Sequence, residues 1–305
     1  MAFLACASIA VQAQVTIKVV NAQGPTQSMT PQVLKLIDEA NRIQTQYRFV
    51  IEFKPGAFES IGINTAVNEP ETSVVTVTPS MIEAIDRNLI DHTRLTSVFS
   101  LGDACWAVIT NFGDGKHGIA SIKRSYIKEI TVGGPAIGGV AHLVALEIGA
   151  RYSIPVRYVV YRSNYDALLH MTADNNSVNM VMDRLVNFDQ LKTKNPKLQV
   201  LGVNCAERHP GYPGVPTLQE QKIFAPYIWH HVLASKQMSE RRREDITKIM
   251  TTAIQNIGKQ QMFASSDFIS PIFYNQSAND HYQAALQNLF TLRQRYRQNI
   301  RDSVQ

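Results

Sequence analysis

Apolar and polar positions alternate over residues 15–21, Val-Thr-Ile-Lys-Val-Val-Asn, and the β-branched side chains there predict a strand. The same signals predict strands over 47–53, 73–78, 105–110, 130–132, 156–161, 178–182 and 198–203, the last continuing to Cys205. Between them the apolar spacing lengthens to that of a helix. After Pro31, a residue suited to a first helical turn, Val33, Leu34, Leu36, Ile37 and Ala40 fall on one face. Helices are also predicted over 80–88, 142–149, 167–172, 238–257 and 280–297. Gly24-Pro25, Lys54-Pro55-Gly56 and Gly113-Asp114-Gly115 read as turns. Strands alternating with helices call for parallel crossovers, so the fold class expected is α/β with doubly wound sheets. The pattern comes in two blocks, before and after Cys105, which predicts two lobes. The roughly 100 residues that follow read as almost entirely helical and must pack back on a sheet already made.

The first 14 residues carry no charge, and Val11-Gln12-Ala13 has the small-x-small form accepted by signal peptidase. Residues 1–13 are therefore expected to be a signal peptide whose basic start is missing, the alternative being an N-terminal strand or tail. Phe3-Leu4-Ala5-Cys6 is a faint lipoprotein-like site. Export would place the mature protein, soluble, in the periplasm. No later apolar run approaches the ~18–20 residues of a membrane-spanning helix.

Hydrophobic residues make up 45% of the 305 and charged residues 18%, which suits a packed core and excludes wholesale disorder. The formal charge of +5 is spread along the chain with acids between the bases, so no nucleic-acid partner is expected. Cys105 and Cys205 lack the CxxC or Cys/His spacing of a zinc site, and no metal or cofactor is expected. In an oxidising compartment they either pair or stand as two buried thiols.

Two loops carry candidate chemistry. Residues 21–28, with Asn21, Gln23, Gly24, Pro25 and Thr26, and residues 133–139, with Gly133, Gly134, Gly138 and Gly139, each join a strand to a helix. Glycine admits a ligand close to the backbone, and a helix start offers unpaired N–H groups to an anion. The bland alternative is a tight turn. Neither loop matches the dinucleotide fingerprint, and no Walker lysine or G-x-S-x-G elbow occurs, so no catalytic residues are assigned. His230 and His231 are read as helix neighbours, one buried and one exposed. Arg241-Arg242-Arg243 reads as a solvated helix face, and Tyr158, Tyr161 and Tyr165 as a mixture of core and cleft positions.

Val203-Asn204-Cys205-Ala206-Glu207-Arg208-His209-Pro210, followed by Pro213-Gly214-Val215-Pro216-Thr217-Leu218, resembles a segment of the tripartite tricarboxylate transporter receptors, the Bug family of extracytoplasmic solute-binding proteins. Their strand ends in small-Ala-Lys/Arg-Arg-x-Pro and leads to Pro-x-Val-Pro-Thr. Lys54-Pro55-Gly56-Ala57 with Ile61-Gly62, Gly133 through Leu143, Val159–Ser163 and Met180–Asp183 are similar to further family segments, in order. The chain departs from the pattern at Gln23–Gln27, at the second glycine loop, which lacks the family's serines, and at Phe58-Glu59-Ser60, where the family has a Gly-Gly pair.

The resemblance implies a two-lobed flytrap of periplasmic-binding-protein type II. One lobe would hold residues 15–104 plus 206–305 and the other 105–205, with the hinge near Cys105 and Cys205. A small carboxylate or amino acid would lie in the cleft between them. It would be held by Asn21, Gln23, Gly24, Pro25, Thr26, Thr78, Ser80, Gly133, Gly134, Gly138, Gly139, His142, Tyr161 and Asp183. The implied receptor is a monomer that delivers its ligand to membrane permease subunits. The alternatives are a receptor that signals to a sensor kinase and, less favoured by the residues, an enzyme on the same scaffold. The two cysteines would fall on the strands crossing between lobes. Glu59 near the cleft would weaken or change carboxylate binding.

Overall fold

A computed structural model of the protein describes residues 14–25, 29–112, 117–124, 127–173, 177–258 and 272–304. Residues 1–13, Thr26 and the turn at 113–115 lie outside it.

Among the described residues, ten strands form two sheets. The first runs Tyr47–Phe53 (β2), Val15–Asn21 (β1), Ser73–Val77 (β3), Ile228–Ser235 (β10), Leu95–Ala104 (β4). The second runs Val156–Val160 (β7), Ile130–Gly134 (β6), Met180–Arg184 (β8), Trp106–Thr110 (β5), Gln199–Asn204 (β9). In each, the fourth strand lies antiparallel to both neighbours. That strand is also the first one laid down after the chain has crossed from the other sheet. The helices are α1 (Thr30–Ile43), α2 (Ser60–Asn68), α3 (Met81–Asp86), α4 (Ser121–Arg124), α5 (Val140–Tyr152), α6 (Asn164–Thr172), α7 (Leu185–Lys192) and α8 (Glu240–Ile257), then Asn275–Arg295 and Arg297–Asp302 near the C-terminus. The α/β class and the two doubly wound sheets are as the sequence predicts.

Several elements differ from the sequence reading. Strands β4 and β10 and helices α2 and α7 were not predicted, and β10 interrupts the region expected to be helical. Every residue of β10 is buried, so it shows no alternation to mark it. His230 and His231 sit on this strand, not on a helix, and both are buried, at 8% and 0% exposure. A strand sends successive side chains to opposite faces. His231 packs with Trp229, Tyr282 and His281, while His230 faces the other way. The arginine run is only partly solvated: Arg242 donates to the Glu71 carbonyl and lies over the Tyr47 ring.

The sheets are joined closely. Cys105 alone separates β4 from β5, and the return crossing starts at Cys205. A disulfide joins the two cysteines, with Cα atoms 4.9 Å apart. The chain end makes a further connection. The Asn275–Arg295 helix packs on β4, but Ser303, expected with the first lobe, accepts from the Tyr158 backbone N–H of β7 at 2.8 Å.

Candidate functional site

A cavity of about 460 Å³ lies between the sheets, walled by both. From the first sheet come Ala22 and Gln23 after β1, Pro55, Gly56, Phe58 and Glu59 after β2, and Thr78 to Ser80 after β3. From the second come Pro135 and Ala136 after β6, and Arg162, Ser163 and Asn164 after β7. Trp106, Ile228 and His230, at the starts of β5 and β10, form the back. Ligands in open α/β sheets collect at such carboxyl ends of strands, beside helix starts.

Four of the residues that the resemblance assigns to the ligand line this cavity: Gln23, Thr78, Ser80 and Gly139. Of the others, Thr26 lies outside the described residues, and most of the remainder have a visible task elsewhere. Asn21 is buried and shapes the first loop: its side chain accepts from Gln23 N at 2.9 Å and donates to Thr30 Oγ1 at 3.1 Å. Thr30 in turn donates to the Gly24 carbonyl. Gly24 turns the chain at φ +95°, with Pro25 next. Gly133 and Gly134 are small for packing, since a Cβ there would lie 2.8 Å from Ala167 Cβ and 2.7 Å from the Tyr158 hydroxyl. Tyr161 bonds His170. Asp183 is buried, accepts from Arg184 N and Asn187, and is pushed up to about 6 by its burial.

His142 lies behind the second loop and is fully buried. Its Nδ1 accepts from Gly138 N at 2.9 Å, which leaves Nε2–H to donate to Ser303 Oγ at 2.8 Å. The ring stacks on Tyr158 with centroids 4.3 Å apart. Burial, with Arg293 nearby, lowers it to about 4, so it is neutral at pH 7. Both ring nitrogens are engaged in holding the glycine loop to the C-terminal segment. Arg293 holds the same loop from its other side. It donates to the carbonyls of Gly138, at 2.7 Å, and Ile137, and pairs with Glu83 and Asp86 of α3. Gly138 has φ +67°, and a Cβ there would lie 2.5 Å from Arg293 Nη1. Gly138→Val is therefore expected to lower stability by about 2 kcal/mol, through left-handed strain and a displaced arginine. A urea unfolding midpoint equal to that of the wild type would refute this.

The floor of the first lobe is Glu59. Its carboxylate accepts from Gln23 Nε2 (3.1 Å), Thr78 N (3.0 Å), Thr78 Oγ1 and Ser80 Oγ. The residue is 5% exposed, and burial raises its pKa against the pull of those donors. On the second lobe, Arg162 reaches the cavity beside the start of α6, and Gly139 caps α5, whose first residues Val140 and Ala141 line the wall. His230, pushed down to about 3 by burial, adds a neutral ring. Trp106, Arg162 and Asn164 escape sequence reading because they stand at the ends of ordinary strands, and only sheet order brings them together. Among the described residues, no cluster of His, Cys, Asp or Glu is placed to hold a metal ion.

No family model matches the chain, and no curated protein matches it in sequence. Solved structures do. The periplasmic binding protein BugD aligns at TM-score 0.71 and 17% identity, over 94% of this chain and 98% of its own. A TctC solute-binding protein from Polaromonas aligns at 0.72 and 14%, over 92% and 98%. A MatC protein from Rhodopseudomonas palustris, with bound malate, aligns at 0.68 and 15%, over 93% and 98%. At these identities the similarity carries the fold: the chain has the two-lobed fold of the Bug and TctC periplasmic binding proteins, as the sequence resemblance implied.

Proposed function

We propose that the protein is an extracytoplasmic solute-binding receptor that captures a small carboxylate between its lobes and presents it to a tripartite tricarboxylate-type permease. One observation carries this reading: a single cavity is built jointly from the strand ends of both sheets, so a ligand there touches both lobes at once. A ligand that prefers the closed arrangement shifts the balance between open and closed forms, and closure is a signal a membrane partner can read. The carboxylate end belongs on the second lobe, where Arg162 and the free N–H groups at the start of α5 supply positive potential. The MatC structure, which shares this fold, holds malate, a small carboxylate. Trp106, Phe58, Ile228 and the prolines supply an apolar wall for a short carbon chain. The protein acts as an exported monomer and performs no chemistry on its ligand. Among the described residues no helix is long and apolar enough to cross a membrane.

The test is a thermal-shift screen with short dicarboxylates, hydroxy acids and amino acids. A true ligand at 100-fold its Kd stabilises by roughly 2.7 kcal/mol, a shift of several degrees. A flat response to the whole panel would reject the carboxylate reading.

A further inference from the structure

We propose that Glu59 sets the ligand class of this cleft: its carboxylate fills the anion seat of the first lobe from within, and the ligand turns an ammonium group, not a second carboxylate, toward it. This rests on the carboxylate-receptor reading above and says which carboxylates are accepted.

Three observations lead here. First, the groups on the first lobe best suited to hold an anion are already spent. The Gln23 amide, the Thr78 backbone N–H and the hydroxyls of Thr78 and Ser80 all converge on Glu59. A ligand carboxylate arriving there would find these donors already engaged by an acidic side chain, which costs rather than stabilises. Second, Glu59 is a buried acid without a cation. Gln23 Nε2 donates to Oε1 and Thr78 N to Oε2, so the carboxyl group meets an amide donor on each oxygen. Among the described residues no Lys, Arg or His pairs with it. A buried charge lacking a counterion is unfavourable, and a ligand ammonium in the adjoining cavity supplies one. Oε1 is reached by three polar groups, two of them the hydroxyls of Thr78 and Ser80 that also contact each other, and Oε2 by the Thr78 N–H alone, which leaves Oε2 with acceptor capacity.

Third, the backbone is bent to deliver this side chain. Ala57, Phe58 and Glu59 take φ of 43°, 57° and 73°, three consecutive non-glycine residues in the left-handed region. Each is disfavoured there, and such strain persists where the surroundings hold it and clusters at ligand sites. Here it makes Glu59 the cap of α2 with its carboxylate at the cavity floor.

The two lobes therefore present opposite polarity: Arg162 and a helix start on one side, Glu59 on the other. The matching ligand is a single carboxylate joined to an amine by a short chain, whether an α-amino acid or an ω-amino acid. Dicarboxylates of the same length fit the shape but not the charge.

Matched pairs test this by isothermal titration calorimetry at neutral pH: adipate against aminocaproate, and succinate against γ-aminobutyrate. Alanine and leucine serve as α-amino acids. The wild type is expected to bind an amino member about tenfold or more tightly than its dicarboxylate partner, or to bind the α-amino acids while ignoring the dicarboxylates. Glu59→Gln keeps the shape and removes the charge, and should cut that preference about tenfold or reverse it. A wild type that prefers dicarboxylates overturns the proposal and leaves the receptor reading standing. A Glu59→Gln protein that folds and keeps the amine preference also overturns it. No binding of either class by either protein sinks the receptor reading and this proposal together. The wild-type comparison decides the matter even if the variant fails to fold.

Discussion

Reduction of the Cys105–Cys205 disulfide should lower the stability of the protein by about 3 kcal/mol. The bond closes a loop of sequence separation 100, which spans the whole second sheet. In the chain-entropy description a crosslink of that span restricts the unfolded ensemble strongly, with an upper value of about 4.7 kcal/mol. It also ties the crossing between β4 and β5 to the start of the return crossing, so its loss frees both connections together. Both cysteines are buried, at 1% and 6% exposure, so a Cys105→Ala, Cys205→Ala double variant is a cleaner probe than reductant. Its urea midpoint should fall clearly below that of the oxidised wild type. Thiol counting on denatured, unreduced protein should find neither Cys105 nor Cys205 free. Two free thiols, or equal midpoints, would contradict the bond.

Acid should destabilise the fold between about pH 6.5 and 4.5. Three buried histidines are held neutral: His142 is lowered to about 4 and His230 to about 3, mainly by burial. His231 is lowered well below 6.5 by burial and by the neighbouring His281 and His230. In the unfolded chain each takes up a proton near pH 6.5. In this window the unfolded state therefore binds more protons at these sites, and stability falls as pH falls, by about 1.4 kcal/mol per pH unit for each histidine. Two buried acids act the other way. Asp183, raised to about 6, and Glu59, also raised, take up protons in the folded state before they do when unfolded, so acid favours folding through them. Three losses against two gains leave a net loss of stability as pH falls through this window. Urea midpoints measured from pH 7 to pH 4.5 should fall steadily. A flat or rising series would show that the histidines are not buried neutral.

Much of the first-lobe frame was legible before the structure. Val15–Asn21 and Tyr47–Phe53 have the bounds their alternation predicts, because apolar residues on one face of a half-buried strand leave a period of two. Helix α1 keeps Val33, Leu36, Ile37 and Ala40 inside, and only Leu34 of the predicted face is exposed. Strand β10 was hidden for the opposite reason. Buried on every side between β3 and β4, it has no polar face to betray a period, and its partners lie more than a hundred residues earlier in the chain.

The sequence by itself determined that strands alternate with helices, that two glycine-bearing loops follow strands, and that Glu59 stands where it breaks a familiar pattern. These are local facts, written in periodicity, turn residues and short segments. Tertiary structure decided which of them meet. Sheet order brought Gln23, Thr78 and Ser80 together around Glu59. It turned His142, Tyr161 and Asp183 away from the cavity into hydrogen bonds of their own. It set Cys105 beside Cys205. The physical reason is that a polar group's role depends on the partner that satisfies it once water is excluded, and those partners are supplied by chain crossings that no local pattern records.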